Sequence, residues 1–293
     1  MTPPQAAVII PHYRDLARLR LCLASLVPQA DDRIEIVVID NDSGIDMTAI
    51  QGEFPMIRFL TETEKGAAPA RNRGVAESTA PLLFFIDADC IAAPDWIETA
   101  LSVAPRAALT GGRVDLFDET PGPRNGAEAF ETVFAFHQRA YVEQKGFSVT
   151  ANLVTSRAVF EDTGGFINGV SEDKEWCQRA TARGHALVYR DELAVSHPTR
   201  SDYAALVKKW RRTTEESFLL AQSRGGPVRL KWLAFALVVA ASAGPHALAF
   251  VRSRTLRGMG ERARGIATLA RLRLSRAAWM TRQALSGTAR LSR

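Results

Sequence analysis

The chain has 293 residues, a length that indicates one large domain or one domain with an appendage. Apolar residues make up 46% of the sequence and charged residues 24%, which excludes a disordered or collagen-like chain, and the formal net charge is +5. Three cysteines, none of them in a CxxC pair, exclude a disulfide scaffold and a cysteine-type zinc site, and they fit a reducing compartment.

The first half of the chain alternates strand-like and helix-like patterns. Apolar or β-branched runs predict strands over residues 6–10, 34–39, 56–60 and 82–86, and Pro11 is expected to end the first of them. Leucine spacing and helix-start signals predict helices over 14–26, 68–78 and 94–103. Repeated strand–helix units of this length predict a parallel sheet with right-handed crossovers. The first strand follows so soon after Met1 that no signal peptide is expected.

The second half of the chain is less regular. A Pro/Gly-rich loop is predicted over 118–126, and helices are predicted over 127–143, 173–183 and 201–223. Two glycines and a proline end the last of these helices. We therefore expect one globular domain over residues 1–225 and a hydrophobic, basic helical tail over 226–293.

Polar segments follow three of the predicted strands, at the point where each strand ends. They are Pro11-His12-Tyr13, Asp40-Asn41-Asp42-Ser43 and Asp87-Ala88-Asp89. The carboxyl ends of parallel strands meet at the edge where α/β sheets bind ligands. Two carboxylates one residue apart repel each other unless a cation offsets them, and Mg²⁺ or Mn²⁺ commonly joins one or two carboxylates to phosphate oxygens. The third segment therefore predicts a metal–diphosphate site, with a solvated acidic turn as the alternative.

Six further short motifs follow one another along the chain. They are Lys65-Gly66, Ala70-Arg71-Asn72-Arg73-Gly74, Thr163-Gly164-Gly165-Phe166, Ser171-Glu172-Asp173-Lys174-Glu175-Trp176-Cys177, Arg183-Gly184-His185 and Val195-Ser196-His197-Pro198. With the three strand-end segments, this series resembles a family 2 glycosyltransferase of the GT-A fold over residues 6–198. The resemblance implies an α/β, Rossmann-like architecture with a mostly parallel sheet flanked by helices, of the kind found in nucleotide-diphospho-sugar transferases.

The resemblance implies a nucleotide-binding role for five residues of the first half. Pro11, through its backbone, and Tyr13 would line the base pocket, where the Tyr13 ring can stack on the nucleobase. Asp40 and Asn41 would lie at the base and ribose, and Arg71 near the base or the diphosphate. For Tyr13 the alternative is a buried strand-end aromatic, and for Arg71 it is a helix-surface arginine. For the Asp40-Asn41 pair the alternative is a turn held by its own side chains.

A metal set is implied in the same way. Asp87 would lie by the ribose and by Mg²⁺ or Mn²⁺, with Ala88 between the two carboxylates of the motif. Asp89 would ligate the metal directly, and His197 would be a third ligand, because imidazole suits Mn²⁺. A purely structural strand-end histidine is the alternative for His197.

Asp173 is predicted to be the catalytic base, assisted by Glu172. The implied reaction is displacement at the anomeric carbon of the sugar by an acceptor hydroxyl, which needs a carboxylate within hydrogen-bond reach to take its proton. The place of the two acids at the start of a predicted helix also allows a helix-capping role. Where many relatives carry an acidic residue after Gly-Gly-Phe, this chain has Ile167-Asn168, so its acceptor loop is expected to differ.

The tail is strongly basic. From Gly226 onward it has thirteen basic residues and one acid, a net charge of +12, whereas the rest of the chain is at −7; an anionic partner is predicted. Residues 232–251 contain no Asp, Glu, Lys or Arg, and this segment of twenty residues is about as long as a membrane span. A single span, however, would place eleven arginines on the far side of the membrane. We expect instead a helical segment that dips into one leaflet beside an arginine-rich helix on anionic lipid. A soluble helical cap is the alternative; nucleic acid is not expected, since the acidic body would repel it.

Together these features predict an inverting, metal-dependent glycosyltransferase at the cytoplasmic face of the inner or plasma membrane. The donor would be a UDP-, GDP- or dTDP-sugar, and the acceptor a lipid-linked glycan or polysaccharide of the cell envelope. A nucleotidyltransferase and a non-catalytic nucleotide- or glycan-binding membrane scaffold are the alternatives. The first has no need for the 164–173 segment, and the second would be indifferent to replacement of Asp173.

Overall fold

A computed structural model describes residues 3–291 of the chain. The chain forms two compact units, each assembled from separate stretches of sequence. The sheet unit comprises the chain through Asp115, Phe136–Asn168 and Glu172–His197. The helical unit comprises Leu116–Ala135, Gly169–Ser171 and the chain from Pro198 onward. The helical unit includes residues on both sides of position 225, so the two units do not coincide with the predicted division.

Within the described residues, eight strands form one sheet. They are β1 (Ala6–His12), β2 (Ile34–Asp40), β3 (Arg58–Thr61), β4 (Leu82–Ile86), β5 (Ile91–Ala92), β6 (Leu109–Phe117), β7 (Asn152–Ser156) and β8 (Leu187–Pro198). Their order is β3-β2-β1-β4-β7-β6-β8-β5. The predicted parallel pairing is confirmed for β1 to β4, whereas β7 runs antiparallel to β4 and β6, and β5 antiparallel to β8.

The helices of residues 3–291 accompany the strands and then dominate the last third. They are α1 (Leu16–Leu26), α2 (Thr48–Glu53), α3 (Ala67–Glu77), α4 (Trp96–Val103), α5 (Gly126–Phe134), α6 (Gln138–Lys145), α7 (Arg157–Thr163), α8 (Glu172–Ala182), α9 (Tyr203–Ser223), α10 (Val228–Ala241), α11 (Ala243–Arg252) and α12 (Gly258–Ser286). The predicted α1, α3, α4, α8 and α9 begin and end within two residues of the observed helices.

Helices cover both faces of the sheet. Five consecutive residues of β1, from Ala6 to Ile10, are completely buried. Their side chains alternate between two apolar clusters: Val8 and Ile10 belong to one, and Ala7 and Ile9 to the other. Because successive strand residues point to opposite faces, an unbroken apolar run is what a doubly covered strand requires.

The first strand continues past Pro11, so the prediction that this proline ends it is wrong. β4 pairs with β1 only as far as Ile9, whereas β2 accompanies β1 through His12. Beyond Ile9, β1 has one neighbour, and a residue without an N–H is tolerated on a strand with a free side. The extension brings His12 into register with Asp40.

The single helix predicted over 127–143 is in fact two helices, α5 and α6. Phe136, between them, has a φ of 51°, in the left-handed region that bulky residues rarely adopt. Neither glycine nor proline marks the break, so the sequence pattern could not show it. The break coincides with the passage of the chain from the helical unit to the sheet unit.

One of the two apolar clusters of the helical unit is formed by α5, α9, α11 and the long α12. Phe130 of α5 shares an apolar cluster with Phe250, Leu269 and Leu272. Gly265 of α12 lies against the Phe250 ring, so close that a Cβ at this position would collide with it. The α5 segment is therefore held by residues from the far end of the chain.

The apolar segment of the tail forms α10 and α11, which meet at a bend of 41°. In the described part of the chain, no helix alone has the length and apolar composition of a membrane span. The two together do meet that test of length and composition, as a bent pair.

Candidate active site

A buried histidine ties the ends of β1 and β2 together. His12 Nδ1 lies 2.9 Å from Asp40 Oδ1, and the backbone N–H of Asp15 donates to His12 Nε2 at 3.1 Å. Because Nε2 accepts this hydrogen bond, the neutral ring carries its proton on Nδ1, and the Nδ1–H group donates a hydrogen bond to Asp40. The other oxygen of Asp40 accepts from the N–H of Ser43 at 3.0 Å. Both oxygens of Asp40 are thus bonded within the turn, and sequence reasoning missed the role of His12.

Asn41 holds the loop that precedes α3. Its side-chain amide donates to the carbonyls of Glu62 (3.0 Å) and Glu64 (2.6 Å), and its Oδ1 accepts from the N–H of Gly66 (2.7 Å). The turn interpretation of Asp40 and Asn41 accounts for these contacts. Base or ribose binding by the two side chains stays a prediction.

Replacing Asn41 with alanine should lower the free energy of unfolding by about 2–4 kcal/mol, because three hydrogen bonds of a buried side chain are lost together. Urea denaturation measures the change. Gln51→Ala, on the exposed surface of α2, is the control and should change stability by less than about 0.5 kcal/mol. Equal effects of the two substitutions would show that the 62–66 loop does not depend on Asn41.

Tyr13 is available for stacking. Its side chain is 51% exposed, so the interpretation as a buried strand-end aromatic is wrong. The guanidinium of Arg14 lies 5.1 Å from the ring centroid, and Arg14 Nε donates to the carbonyl of Ser43 at 2.9 Å. Arg14 has a φ of 58°, so the turn after Tyr13 is locally strained. Pro11, two residues earlier, is half-buried.

Arg71 is buried and bridges two acidic segments. Although it lies on α3, its side chain is only 4% exposed, so the helix-surface interpretation is wrong. One terminal nitrogen lies 2.6 Å from Asp87 Oδ1, at the end of β4, and the other lies 3.1 Å from Glu172 Oε1, at the start of α8. Its Nε is buried without a partner. The bridge joins the Asp87-Ala88-Asp89 segment to the segment that carries Asp173.

Asp173 has the electrostatics of a proton acceptor. Burial of its carboxyl group, followed by the nearby charge of Glu172, raises the pKa of Asp173 from 3.8 to about 6, although Arg71 acts in the opposite direction. The backbone N–H of Thr150 lies 3.4 Å from Asp173 Oδ2. A carboxyl group with a pKa of this size can exchange a proton near neutral pH.

The Gly-Gly-Phe segment is fixed by side chains of two helices. Asn72 of α3 donates to the carbonyl of Phe166 and accepts its N–H, both at 2.9 Å. Arg179 of α8 donates to the carbonyl of Gly165 at 2.8 Å. A Cβ at Gly165 would approach Asn72 Oδ1 to 2.9 Å, so a larger residue would displace this clamp. Asn72 and Arg179 are positioning residues that the sequence analysis did not single out.

The predicted metal ligands lie close together only in part. Asp89 Oδ2 is 3.3 Å from His197 Nε2, whereas Asp87 is engaged by Arg71, and Ala88 packs against the core. Among residues 3–291, no three His, Cys, Asp or Glu side chains form a group that could hold a metal ion. The expected set of three protein ligands is therefore not assembled. The carboxylate of Asp89 and the imidazole of His197 do lie together, and both are ligand types that suit Mn²⁺.

A cavity of about 320 Å³ lies in the sheet unit beside Phe136. Its lining combines aromatic faces with hydrogen-bonding groups, from Phe136, Tyr189, Arg113, His137, Gln138 and Arg139. The Phe136 ring also packs on the His197 ring, with centroids 4.6 Å apart. The cavity therefore adjoins the Asp89–His197 pair through one aromatic side chain.

Comparison with known proteins assigns the chain to a family. Residues 7–164 match the model of the family described as "Glycosyl transferase family 2". The chain is 28% identical over 221 residues to glycosyltransferase AglE of Haloferax volcanii, covering 72% of each chain. It is 27% identical over 205 residues to the pre-mycofactocin glycosyltransferase of Mycobacterium tuberculosis, covering 66% of this chain and 43% of that protein.

A solved structure is similar in fold. It is the mannosyltransferase PcManGT of Pyrobaculum calidifontis in complex with GDP-Man and Mn²⁺, with a TM-score of 0.56 and 18% sequence identity. The similarity covers 98% of this chain and 76% of that one. The α/β fold is therefore similar to that of a GT-A enzyme. Since the family model spans more than half of the chain, the protein belongs to glycosyltransferase family 2 and is a transferase.

Proposed function

We propose that the protein transfers a sugar from a nucleotide diphosphate donor to an acceptor hydroxyl by direct displacement, with inversion at the anomeric carbon. The Arg71 bridge is the observation that carries this proposal. It ties the strand end that carries Asp87 and Asp89 to the helix start that carries Asp173. A diphosphate-binding edge and a carboxylate with a raised pKa are what such a displacement needs.

Each of these side chains has a separate role in the reaction. Tyr13 stacks on the nucleobase with its exposed ring, and Arg71 keeps Asp87 and Glu172 in place. Asp173 accepts the proton of the attacking hydroxyl at one carboxylate oxygen, while Thr150 orients the carboxylate through its N–H. The leaving group is the nucleoside diphosphate.

A divalent cation fits the site if the protein and the donor both supply its ligands. Asp89 and His197 would hold it, and diphosphate oxygens and water would complete its coordination, as is usual for Mg²⁺ and Mn²⁺. Bound there, the cation supplies positive charge that stabilises the leaving diphosphate.

We place the acceptor in the cavity beside Phe136. Aromatic faces next to hydrogen-bonding groups are suited to a sugar ring, which has both apolar and hydroxyl-bearing surfaces. The acceptor class we favour is a lipid-linked glycan or polysaccharide of the cell envelope.

A donor panel tests the proposal. Purified full-length protein with UDP-, GDP- and dTDP-sugars, supplied with a lipid extract as acceptor, should release nucleoside diphosphate from one donor in Mn²⁺ and not in EDTA. Asp89→Ala should lose this release, whereas Asp95→Ala, on the exposed surface before α4, should keep it. Undiminished release in EDTA would refute the metal-dependent mechanism, and binding without release from any donor would favour a non-catalytic role.

The tail is proposed to lie on an anionic membrane surface, at the cytoplasmic face of the inner or plasma membrane. Six large apolar side chains of α10 and α11 are exposed: Leu230, Phe235, Leu237, Val238, Leu248 and Val251. Residues 226–293, which include both helices, carry a net charge of +12. An apolar helix face within a basic segment is typical of helices that insert into the interface of one leaflet.

Vesicle flotation tests this placement. The protein should float with phosphatidylcholine vesicles that contain phosphatidylglycerol, and binding should weaken at high salt because the charge contribution is screened. Leu237→Glu should reduce the bound fraction at least about tenfold, since it replaces an apolar contact with a like-charge contact to the lipid. Met56→Glu, similarly exposed (66% against 69% for Leu237) but in the sheet unit, is the control. Failure of the wild type to float at low salt would favour the soluble-cap alternative.

A further inference from the structure

Two arginines of α12 lie side by side without a carboxylate partner. Arg273 and Arg276 are three residues apart and therefore share one face of the helix. Arg273 contacts the ring nitrogen Nδ1 of His246 at 3.2 Å. Arg276 lies over the Trp210 ring at 4.4 Å and donates to Thr214 Oγ1 at 3.3 Å. Across residues 3–291, no Asp or Glu forms an ion pair with either guanidinium.

The surroundings make this arrangement electrostatically unfavourable. Burial lowers the pKa of Arg273, and burial together with the charge of Arg273 lowers the pKa of Arg276 to about 10. Elsewhere in the same unit a buried charge is paired: Glu131 Oε1 lies 2.8 Å from both Arg200 and Lys209. Two half-buried like charges with no counter-charge indicate that an anion completes the cluster.

The unused hydrogen-bonding groups point to the chemistry of that anion. Arg273 Nε and Trp210 Nε1 are both buried without a partner. Both are donors only, so a group that satisfies them must supply hydrogen-bond acceptors. A phosphate group has enough oxygens to accept from two guanidinium groups and an indole N–H at once, and it matches the fork of arginine.

We propose that Arg273, Arg276 and Trp210 form a phosphate-binding site, and that its ligand is the phosphate of an amphiphile. Leu274, which follows Arg273 directly on α12, is a large apolar side chain that is 63% exposed, so an apolar surface begins next to the cluster. A phosphate joined to hydrocarbon satisfies both features, as in a lipid headgroup or a lipid carrier. The site does not depend on the proposed sugar transfer.

The test compares two soluble probes that share a headgroup. Calorimetric titration of the full-length protein with glycerol 3-phosphate and with dihexanoylphosphatidic acid, below its micelle concentration, measures the phosphate contact and the added apolar contact. We expect both to bind, the lipid at least about tenfold more tightly. Equal affinities would retain the phosphate site but overturn the amphiphile as its ligand.

Matched double substitutions separate this site from general positive charge. Arg273→Gln with Arg276→Gln should weaken binding of either probe at least about tenfold, because charge-assisted hydrogen bonds are lost. Arg252→Gln with Arg254→Gln removes the same charge from exposed positions and should leave affinity unchanged. Arg276→Lys, which keeps the charge and loses the fork, should bind more weakly than the wild type.

Stability gives a second, independent readout. Without phosphate, the Arg273→Gln, Arg276→Gln protein should melt at or above the wild-type temperature, because the repulsion is removed. With dihexanoylphosphatidic acid, only the wild type should be stabilised. The proposal is overturned if the double variant binds both probes like the wild type, if acetate at equal ionic strength competes equally, or if neither probe binds.

Discussion

Replacing Asp173 with asparagine should reduce turnover between a hundredfold and about ten-thousandfold, the usual contribution of a general base. The amide keeps the shape of the side chain but cannot accept the proton of the acceptor hydroxyl. Because burial raises the pKa of Asp173, its charged form is disfavoured in the fold, and the variant should be at least as stable as the wild type. Nucleoside diphosphate release and thermal melting measure the two effects.

Asp95→Asn is the control for this experiment. Asp95 is exposed and its side chain makes no capping hydrogen bond to α4, so both activity and melting temperature should stay at wild-type values. Donor binding by the Asp173 variant should also be retained. Survival of turnover in Asp173→Asn would show that another group is the base, and a donor-binding scaffold would not respond to the change at all.

Ionisation of the Asp173 carboxyl group should make both turnover and stability depend on pH. Turnover should rise with pH and level off above about 6, because only the ionised form of Asp173 accepts a proton. Stability should change in the opposite sense. Between about pH 4 and pH 6 the folded state binds a proton that the unfolded chain has released, so this group's contribution to stability falls as pH rises. Asp173→Asn should remove both dependences.

Replacing Arg71 with methionine should lower the free energy of unfolding by about 3 kcal/mol, the effect of removing one partner from a buried ion-pair network. Methionine fills a similar volume but leaves Asp87 and Glu172 without their shared cation. Since Arg71 also lowers the pKa of Asp173, the pH at which turnover levels off should move upward. Urea denaturation and the pH–rate profile measure these effects.

Arg73→Met provides the comparison on the same helix. Arg73 is exposed and pairs with Glu77 at 2.8 Å, and exposed pairs of this type contribute less than about 1 kcal/mol. If Arg71→Met and Arg73→Met changed stability equally, the bridge between β4 and α8 would have no structural role. If only stability changed, with no shift of the pH profile, Arg71 would not act on Asp173.

The architecture of the sheet could be predicted where burial leaves a local signal. β4 matches its prediction residue for residue, since five apolar residues between polar segments form a doubly covered strand. The continuation of β1 through Pro11 depends on which neighbours pair at that position. The break at Phe136 has no glycine or proline to mark it. Both features are decided by tertiary contacts, which the local pattern does not contain.

The site was predictable in its location more than in its contacts. Strand ends predicted that Asp87 and Asp89 lie at the ligand-binding edge of the sheet, and the family resemblance implied a role for Asp173; Arg71 contacts both segments. Asn41 bonds to backbone groups more than twenty positions away, and Arg71 to Glu172 about a hundred positions away. Nothing in the composition of α3 shows that its arginine is buried, because the residues around it are small rather than strongly apolar.

The packing of α5 against α12 has a consequence for synthesis of the protein on the ribosome. Phe130 is buried against Leu269 and Leu272, which are translated about 140 residues later. At typical elongation rates, that interval is roughly 7–30 s. Of the helices in its cluster only α9, whose Trp210 packs on Phe130, and α11 follow within that interval, so the apolar face of α5 stays incompletely covered while the first strands can already pair. The nascent chain therefore exposes an aggregation-prone helix until α12 leaves the ribosome, and slow elongation or holdase chaperones should affect its yield more than the stability of the finished fold would suggest.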